Sequence, residues 1–212
     1  MGASQASAEV APDVASRWFR AAAEGDVAQL RQMLGSCAVD TKDSRGQTAL
    51  MISSAHGCEA STAFLARKGA NLNTTDGRGW TAATHAAFGG QERCLRKLAE
   101  SGADLDRKDF LGTTAAMRAA LSGHERCLEV LAEFGADLFA VDNLGKAAIA
   151  HAVRRGHHRC VAVLQQQQQQ AQNDGRSPKR RTKRSMDGCR EVARRCAHTS
   201  FHGVSWTPTV EA

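Results

Sequence analysis

The start of the sequence lacks the features expected of a secretory signal or a membrane-spanning segment. Residues 1–12 are rich in Ala and Ser and have no helix cap or long apolar core, so we expect a disordered tail there. Seven cysteines without a secretory signal favour a reducing compartment. We therefore expect a protein of the cytoplasm, the nucleus or both, with no membrane partner.

Motifs for catalysis are also missing. No Gly-rich phosphate loop is followed by Lys, and neither a Gly-x-Ser-x-Gly nucleophile elbow nor a His-Glu-x-x-His pair is present. Cys189, Cys196, His198 and His202 lack the closely spaced cysteine pair of structural zinc sites. We therefore expect no catalytic residue, no metal and no cofactor, and we predict that the protein is not an enzyme.

What the sequence does contain is a repeat of 33 residues, the interval between Gly46 and Gly79. Two series of glycines and one series of aspartates recur at this interval. Their members are Gly46, Gly79, Gly112 and Gly145; Gly57, Gly90, Gly123 and Gly156; and Asp43, Asp76, Asp109 and Asp142. A fixed period of this size is typical of stacked repeat architectures.

Each copy is predicted to form two short helices and a connecting hairpin. Residues Thr114 to Leu121 are mostly alanine and apolar, and Gly123 can end this helix because it has no Cβ to clash in the left-handed conformation. From Arg126 to Phe134 the apolar residues recur every three or four positions, which places them on one helical face. At Asp142 the side chain can bond its own downstream backbone and hold a turn. One unit cannot bury its apolar face alone, so it must stack on its neighbours.

The unit resembles the ankyrin repeat. Gly46-Gln47-Thr48-Ala49-Leu50, Gly123-His124 and Gly135-Ala136-Asp137 match the Gly-x-Thr-Pro-Leu-His, Gly-His and Gly-Ala-Asp parts of that family's pattern. The resemblance implies an all-α ankyrin-repeat solenoid of about five stacked helix-turn-helix units, with β-hairpin loops and flexible terminal tails. The Pro of the pattern is Ala in all four full copies, and its His is also replaced. Because that His braces the tight turn in the family, its loss implies lower stability per repeat.

The resemblance also implies the domain boundaries. The repeat domain spans residues 13–165, with repeats at about 13–45, 46–78, 79–111, 112–144 and 145–165, between a tail of residues 1–12 and a Gln-rich, then basic, largely disordered tail of residues 166–212. The first repeat is atypical, as expected of a capping repeat. Trp18 takes the place of Leu50, so we predict that it fills the core. Cys94, Cys127 and Cys160 occupy equivalent places, too far apart for disulfides, and are predicted to be small apolar groups in or near the core.

Ankyrin-like proteins bind partners through the hairpin tips and the concave face of the first helices, which implies a candidate surface. The middle of this surface is apolar, and its ends are basic. The predicted partner-binding residues are Arg45, Gln47, Arg78, Trp80, Phe88, Phe110, Leu111, Leu121, Leu144 and Lys146, with Lys42, Arg154 and Arg155 adding to the basic ends. An exposed apolar patch rimmed by charge marks protein-binding sites, and Trp and Arg are favoured anchors. For Phe88 and Leu121, inward packing between repeats is an equal alternative.

We therefore predict a monomeric, non-catalytic scaffold or adaptor that binds another protein with apolar anchors and acidic flanks. Two alternatives stay open: a nuclear regulator whose basic tail contacts nucleic acid, and a substrate-recognition subunit of a larger enzyme complex.

The tail after Leu164 carries most of the net charge of +6. Its candidate nuclear-import residues are Lys179, Arg180, Arg181, Lys183 and Arg184. A solvated tail without a targeting role is an equal alternative. The basic run contains no aromatic side chain on which bases could stack, which argues against specific recognition of nucleic acid.

Overall fold

The computed structural model describes residues 12–173, and within them the chain forms ten α-helices and no β-strand. The helices are α1 (Pro12–Glu24), α2 (Val27–Met33), α3 (Ala49–His56), α4 (Glu59–Arg67), α5 (Ala82–Phe88), α6 (Glu92–Glu100), α7 (Ala115–Ser122), α8 (Glu125–Glu133), α9 (Ala148–Arg155) and α10 (His158–Asn173). They form five consecutive pairs, so the predicted all-α repeat solenoid is confirmed. The hairpins between pairs contain only isolated β-bridges, such as the one between Lys42 and Thr48.

The helix pairs stack in register. The odd-numbered inner helices α1, α3, α5, α7 and α9 contact one another in chain order, and so do the even-numbered outer helices. Small side chains on the inner helices, such as Ala86 and Ala119, are fully buried and allow neighbouring helices to pack closely. The outer helices bury larger residues, among them Leu95 and Leu128. Each such leucine contributes on the order of 1.5–3 kcal/mol by leaving water. The buried residues of all repeats form one cluster, so the core is a continuous layer shared between repeats.

Each hairpin is closed by one aspartate. The Asp109 Oδ1 atom accepts hydrogen bonds from the backbone N–H groups of Leu111 (2.9 Å) and Thr113 (2.8 Å). The Asp109 N–H donates to the Thr113 carbonyl oxygen at 3.0 Å, and the Gly112 N–H donates to the Asp109 carbonyl oxygen at 2.9 Å. The same set of bonds recurs at Asp43, Asp76 and Asp142. This is the local bonding by which aspartate stabilises turns, and it fixes the backbone of every hairpin tip.

Side chains also link each repeat to the next. The His124 Nε2–H group donates to the Phe88 carbonyl oxygen at 3.0 Å, and the His157 Nε2–H group donates to the Leu121 carbonyl oxygen at 3.1 Å. Both acceptors lie in the last turn of an inner helix, where carbonyl groups have no partner within the helix. The two histidines therefore complete the ends of α5 and α7 from the following repeat.

The structure confirms the predicted burial of Trp18 and of the three equivalent cysteines. The Trp18 side chain is fully buried in the first repeat, as are Cys94, Cys127 and Cys160 in theirs. Burial raises the pKa of the Cys127 thiol to about 12. The five cysteines among the described residues are free thiols, as expected of small apolar groups in a core.

Helix α10 extends beyond the predicted end of the repeat domain. It contains Gln165 to Gln170 and ends at Asn173, so residues 166–173, placed in the largely disordered tail by the predicted boundary, continue the last helix. The first turns of α10 are anchored by the buried residues Cys160 and Leu164, and glutamine is a good helix former, so the helix continues. The predictions for residues 1–11 and 174–212 lie outside the described residues. In residues 12–173, we find no helix with the length and apolar character needed to span a membrane.

Replacing Gly112 by Ala is expected to destabilise the protein more than replacing Gly145. Both glycines have left-handed backbones, with φ of +74° and +73°, so Ala at either position costs about 1–2 kcal/mol. A Cβ on Gly112 would also lie 2.8 Å from the backbone nitrogen of Asn143, whereas on Gly145 it would meet no described atom within 4 Å. Urea unfolding followed by circular dichroism measures the difference. Equal losses for the two variants would contradict the close contact between these hairpins.

Candidate protein-binding surface

The exposed apolar side chains are concentrated where the sequence predicts partner binding. Phe110, Leu111 and Leu144 lie at hairpin tips and are 71%, 64% and 77% exposed. Phe88, the last residue of α5, is 44% exposed. Among the described residues the remaining exposed large apolar side chain is Phe134, which follows the outer helix α8. We name the group Phe88, Phe110, Leu111 and Leu144 the hairpin patch.

Trp80 was predicted to be an exposed anchor, but it is only 6% exposed. Its ring packs against His85 and Phe88, with centroid distances of 5.1 Å to each. The Arg118 guanidinium, from the next repeat, lies over the ring at 4.5 Å from its centroid. The side chain is therefore turned inward, because Arg118 and the neighbouring rings cover it. Trp80 therefore packs beneath the exposed Phe88 and Arg78 side chains and is not itself exposed to solvent.

The other predicted residues divide by exposure. Arg45 and Arg78 are exposed, whereas Gln47, Leu121 and Lys146 are half-buried. The Arg78 guanidinium lies 5.6 Å from the centroid of the Trp80 ring, which is within the range of a cation–π contact. Inward packing was an equal alternative for Phe88 and Leu121. Phe88 is exposed and Leu121 is half-buried, so Phe88 is the more exposed of the two.

A row of buried polar pairs lies beneath this surface and was not predicted. The Asp76 Oδ2 atom is 2.9 Å from the His85 Nε2 atom, and the same atoms of Asp142 and His151 are also 2.9 Å apart. At the equivalent place, the Asp109 Oδ2 atom accepts hydrogen bonds from Arg118 and from the Thr113 hydroxyl. Each histidine or arginine stands nine residues after its aspartate, on an inner helix. Since Oδ1 closes the hairpin, each carboxylate joins a hairpin to the helix that follows it.

The sequence did hold a signal for this row. His85, Arg118 and His151 are separated by the period of the repeat. His85 and His151 fall at inner-helix positions of the repeat, which is consistent with the core or the concave face, but the repeat pattern alone does not predict their pairing with the aspartates. The fourth member of the series is Ile52, which cannot bond to a carboxylate, so the first full repeat lacks this link.

The surroundings of His85 and Asp109 shift the pKa values of both groups. Burial lowers the pKa of His85, although the hydrogen bond and the charge of Asp76 act in the opposite direction. Neutral His85 therefore donates its Nε2–H group to the Asp76 carboxylate at pH 7. For Asp109, burial alone would raise the pKa, but the hydrogen bonds from Arg118 and Thr113 outweigh it and lower the pKa of this carboxyl below its ordinary value. The Asp109–Arg118 pair is thus a buried ion pair.

The buried aspartates of this row are fully used in bonds that hold the fold together. Both oxygens of Asp76, Asp109 and Asp142 accept hydrogen bonds from the protein itself. Residues 12–173 contain no cluster of three or more His, Cys, Asp or Glu side chains that could hold a metal ion. The exposed chemistry of this face is consequently that of the hairpin patch and of the basic residues beside it.

Comparison with known proteins agrees with this architecture. The family model described as "Ankyrin repeats (3 copies)" matches residues 18–109 and 109–176. The chain therefore belongs to the ankyrin-repeat family, as its repeat pattern had suggested. Ankyrin repeats are generally protein–protein interaction modules and are typically non-catalytic. A search of curated proteins found no match.

Replacing Asp109 by Ala is expected to lower the free energy of unfolding by about 3 kcal/mol, because it leaves the buried Arg118 guanidinium unpaired. Asp43→Ala is the matched control, since Asp43 makes the same turn bonds but the residue nine positions later is Ile52 instead of a basic residue. The control should lose about 1–2 kcal/mol. Urea unfolding measures both values. A loss at Asp43 as large as that at Asp109 would show that the turn bonds alone account for the effect.

The stability of the protein should decrease as the pH falls below 6.5. Burial lowers the pKa of folded His85, so the unfolded chain, with its ordinary pKa of 6.5, binds a proton first. Stability is therefore present above this pH and is lost as the pH falls towards the folded pKa. Thermal unfolding of the wild type and of His85→Gln between pH 8 and 5 isolates this contribution. Identical pH dependence in both proteins would rule out His85 as its source.

Proposed function

We propose that the protein is a monomeric, non-catalytic adaptor that binds a partner protein through the hairpin patch. The observation that carries this proposal is the exposure of three large apolar side chains, Phe110, Leu111 and Leu144, on adjacent hairpins. Exposed apolar groups on one contiguous surface are typical of binding sites. The bonds of Asp109 and Asp142 fix the backbone beneath them, so little conformational entropy is lost when a partner covers them.

The energy available from this patch fits specific but modest binding. Full burial of a Phe or Leu side chain contributes about 1.5–3 kcal/mol. Association itself costs at least about 4 kcal/mol in lost translational and rotational freedom. Three or four anchors can exceed this cost, so the patch is sufficient for a partner that covers several hairpins at once.

The charges around the patch indicate the chemistry of the partner. Arg45 and Arg78 are exposed on the hairpins before it. Arg154 and Arg155 are exposed at the end of α9, beyond Leu144. Complementary charge increases the association rate and favours correct partners. The partner segment is therefore expected to have apolar anchors flanked by acidic residues.

A peptide library displayed on phage tests this surface directly. We expect selection on the full chain to enrich peptides with apolar residues beside Asp or Glu. Selected peptides should bind the Phe110→Ala/Leu144→Ala variant at least tenfold more weakly in a fluorescence titration, because each substitution removes an anchor. The Phe134→Ala variant is the matched control, since it removes an exposed ring on the outer side of the array. Trp80 is unsuitable for this test because its replacement would disturb buried packing.

The control and the double variant must first give the same circular dichroism spectrum as the wild type. If the selected peptides bind all three proteins equally, the hairpin patch is not the binding surface. If they bind only through Phe134, the partner uses the outer helices.

We further propose that the protein acts in the cytoplasm, the nucleus or both. This rests on the sequence, because the candidate import residues Lys179, Arg180, Arg181, Lys183 and Arg184 lie outside the described residues. Contact between the basic tail and nucleic acid, and a role as the recognition subunit of an enzyme complex, remain the alternative predictions from the sequence.

A further inference from the structure

The hairpin tips present one side chain per repeat from the same backbone position. These residues, which we name the tip row, are Arg45, Arg78, Leu111 and Leu144, each two residues after its aspartate. All four are exposed. Their backbone N–H groups donate to the aspartate Oδ1 atoms at 2.8, 2.8, 2.9 and 2.9 Å, respectively. The four side chains therefore leave equivalent, fixed backbone positions.

The spacing of the tip row follows from the stacking of the repeats. Neighbouring hairpins are in direct contact: the Gly77 N–H donates to the Arg45 carbonyl oxygen at 3.0 Å, and the Asn143 N–H donates to the Leu111 carbonyl oxygen at 3.1 Å. Packed helices lie about 8–10 Å apart, and equivalent residues of adjacent repeats share this separation. A ligand chain that follows the row must therefore place a side chain on the same face about every 8–10 Å.

This spacing selects one backbone conformation for an extended ligand. In a β-strand the residues on one face recur about every 6.6 Å, because side chains alternate and the rise is about 3.3 Å. In polyproline II the face repeats every three residues, or about 9.3 Å. The polyproline II repeat therefore matches the tip row, whereas the first two same-face distances of a strand, about 6.6 and 13 Å, do not.

The chemistry of the row is divided into two halves. Arg45 and Arg78 are basic, and within the described part of the chain neither guanidinium forms an ion pair with a carboxylate. Arg78 is held in place by its contact with the Trp80 ring. Leu111 and Leu144 follow as the apolar half. Two acidic and two apolar residues would complement the row in this order.

We propose that the partner of the hairpin patch is an acidic–apolar segment in the polyproline II conformation. It lies across the tips with an acidic residue at each of Arg45 and Arg78 and an apolar residue at each of Leu111 and Leu144. Successive contacts are made by every third residue of the segment. This inference rests on the proposed function, and it adds the conformation, the spacing and the order of the partner's side chains.

Synthetic peptides of defined spacing test this inference. The probe is a fluorescein-labelled peptide containing Asp-Pro-Ala-Asp-Pro-Ala-Leu-Pro-Ala-Leu, prepared together with the reversed sequence so that both chain directions are covered. Control peptides of the same composition place the Asp and Leu residues at every second or every fourth position. With the full chain in fluorescence anisotropy, we expect one direction of the every-third peptide to bind at least tenfold more tightly than the controls.

A charge exchange then tests the order of contacts. Arg45→Glu/Arg78→Glu should weaken the Asp peptide about tenfold at low salt, and a peptide with Lys in place of Asp should recover the affinity. Leu111→Ser/Leu144→Ser should weaken both peptides, whereas Phe134→Ser, on the outer side, should weaken neither. All the substituted side chains are exposed, and circular dichroism confirms that each variant is folded.

The outcomes separate this inference from the proposed function. Equal binding of all spacings, with loss in the Leu111→Ser/Leu144→Ser variant, would overturn the polyproline II register and leave the docking surface intact. Absence of binding by every designed peptide would overturn the inference, while the selected library peptides still decide the surface. Binding that none of the tip-row variants changes would contradict both the polyproline II segment and the proposed docking surface.

Discussion

The repeats of this protein depend on a carboxylate that bonds in two directions. At Asp76, Asp109 and Asp142 one oxygen of the aspartate holds the hairpin, and the other reaches a histidine or arginine on the inner helix that follows. The hairpin tip is therefore rigidly oriented relative to the stack of helices. Since the exposed apolar residues stand on these tips, the same carboxylates that stabilise each unit also determine the geometry of the candidate binding surface.

The period of the sequence predicts most of this architecture, because glycines and aspartates with fixed conformational roles recur at fixed intervals. The exposure of Phe110, Leu111 and Leu144 follows in the same way, since a turn between Asp and Gly directs its central side chains outward. The burial of Trp80 could not be predicted from its place in the repeat. It depends on Arg118, a residue of the next repeat whose equivalents in the other copies are Ile52, His85 and His151, so it is a property of one interface and not of the repeat pattern.

The replaced residues of the family pattern have a structural counterpart. The His that braces the turn in related proteins is Met51, Thr84, Met117 or Ala150 here, and its loss suggested weaker repeats. The structure places another brace one residue further on, where His85, Arg118 and His151 bond to the aspartates. The inner helices still begin at the alanines that replace Pro, as at Ala82 and Ala115. Where the family's His brace is missing, the bond of His85, Arg118 or His151 to the hairpin aspartate braces the same turn.

The two buried indole rings lie in different parts of the array, and this gives the protein built-in optical reporters. Trp18 is enclosed in the first repeat, whereas Trp80 is enclosed between the third and fourth. Units of a linear array contact only their neighbours, so they can open separately. With Trp206 replaced by Phe, emission from a Trp18→Phe protein would follow the middle of the stack, and emission from a Trp80→Phe protein would follow its first repeat. The chain can thus show by fluorescence whether its first repeat melts before its centre.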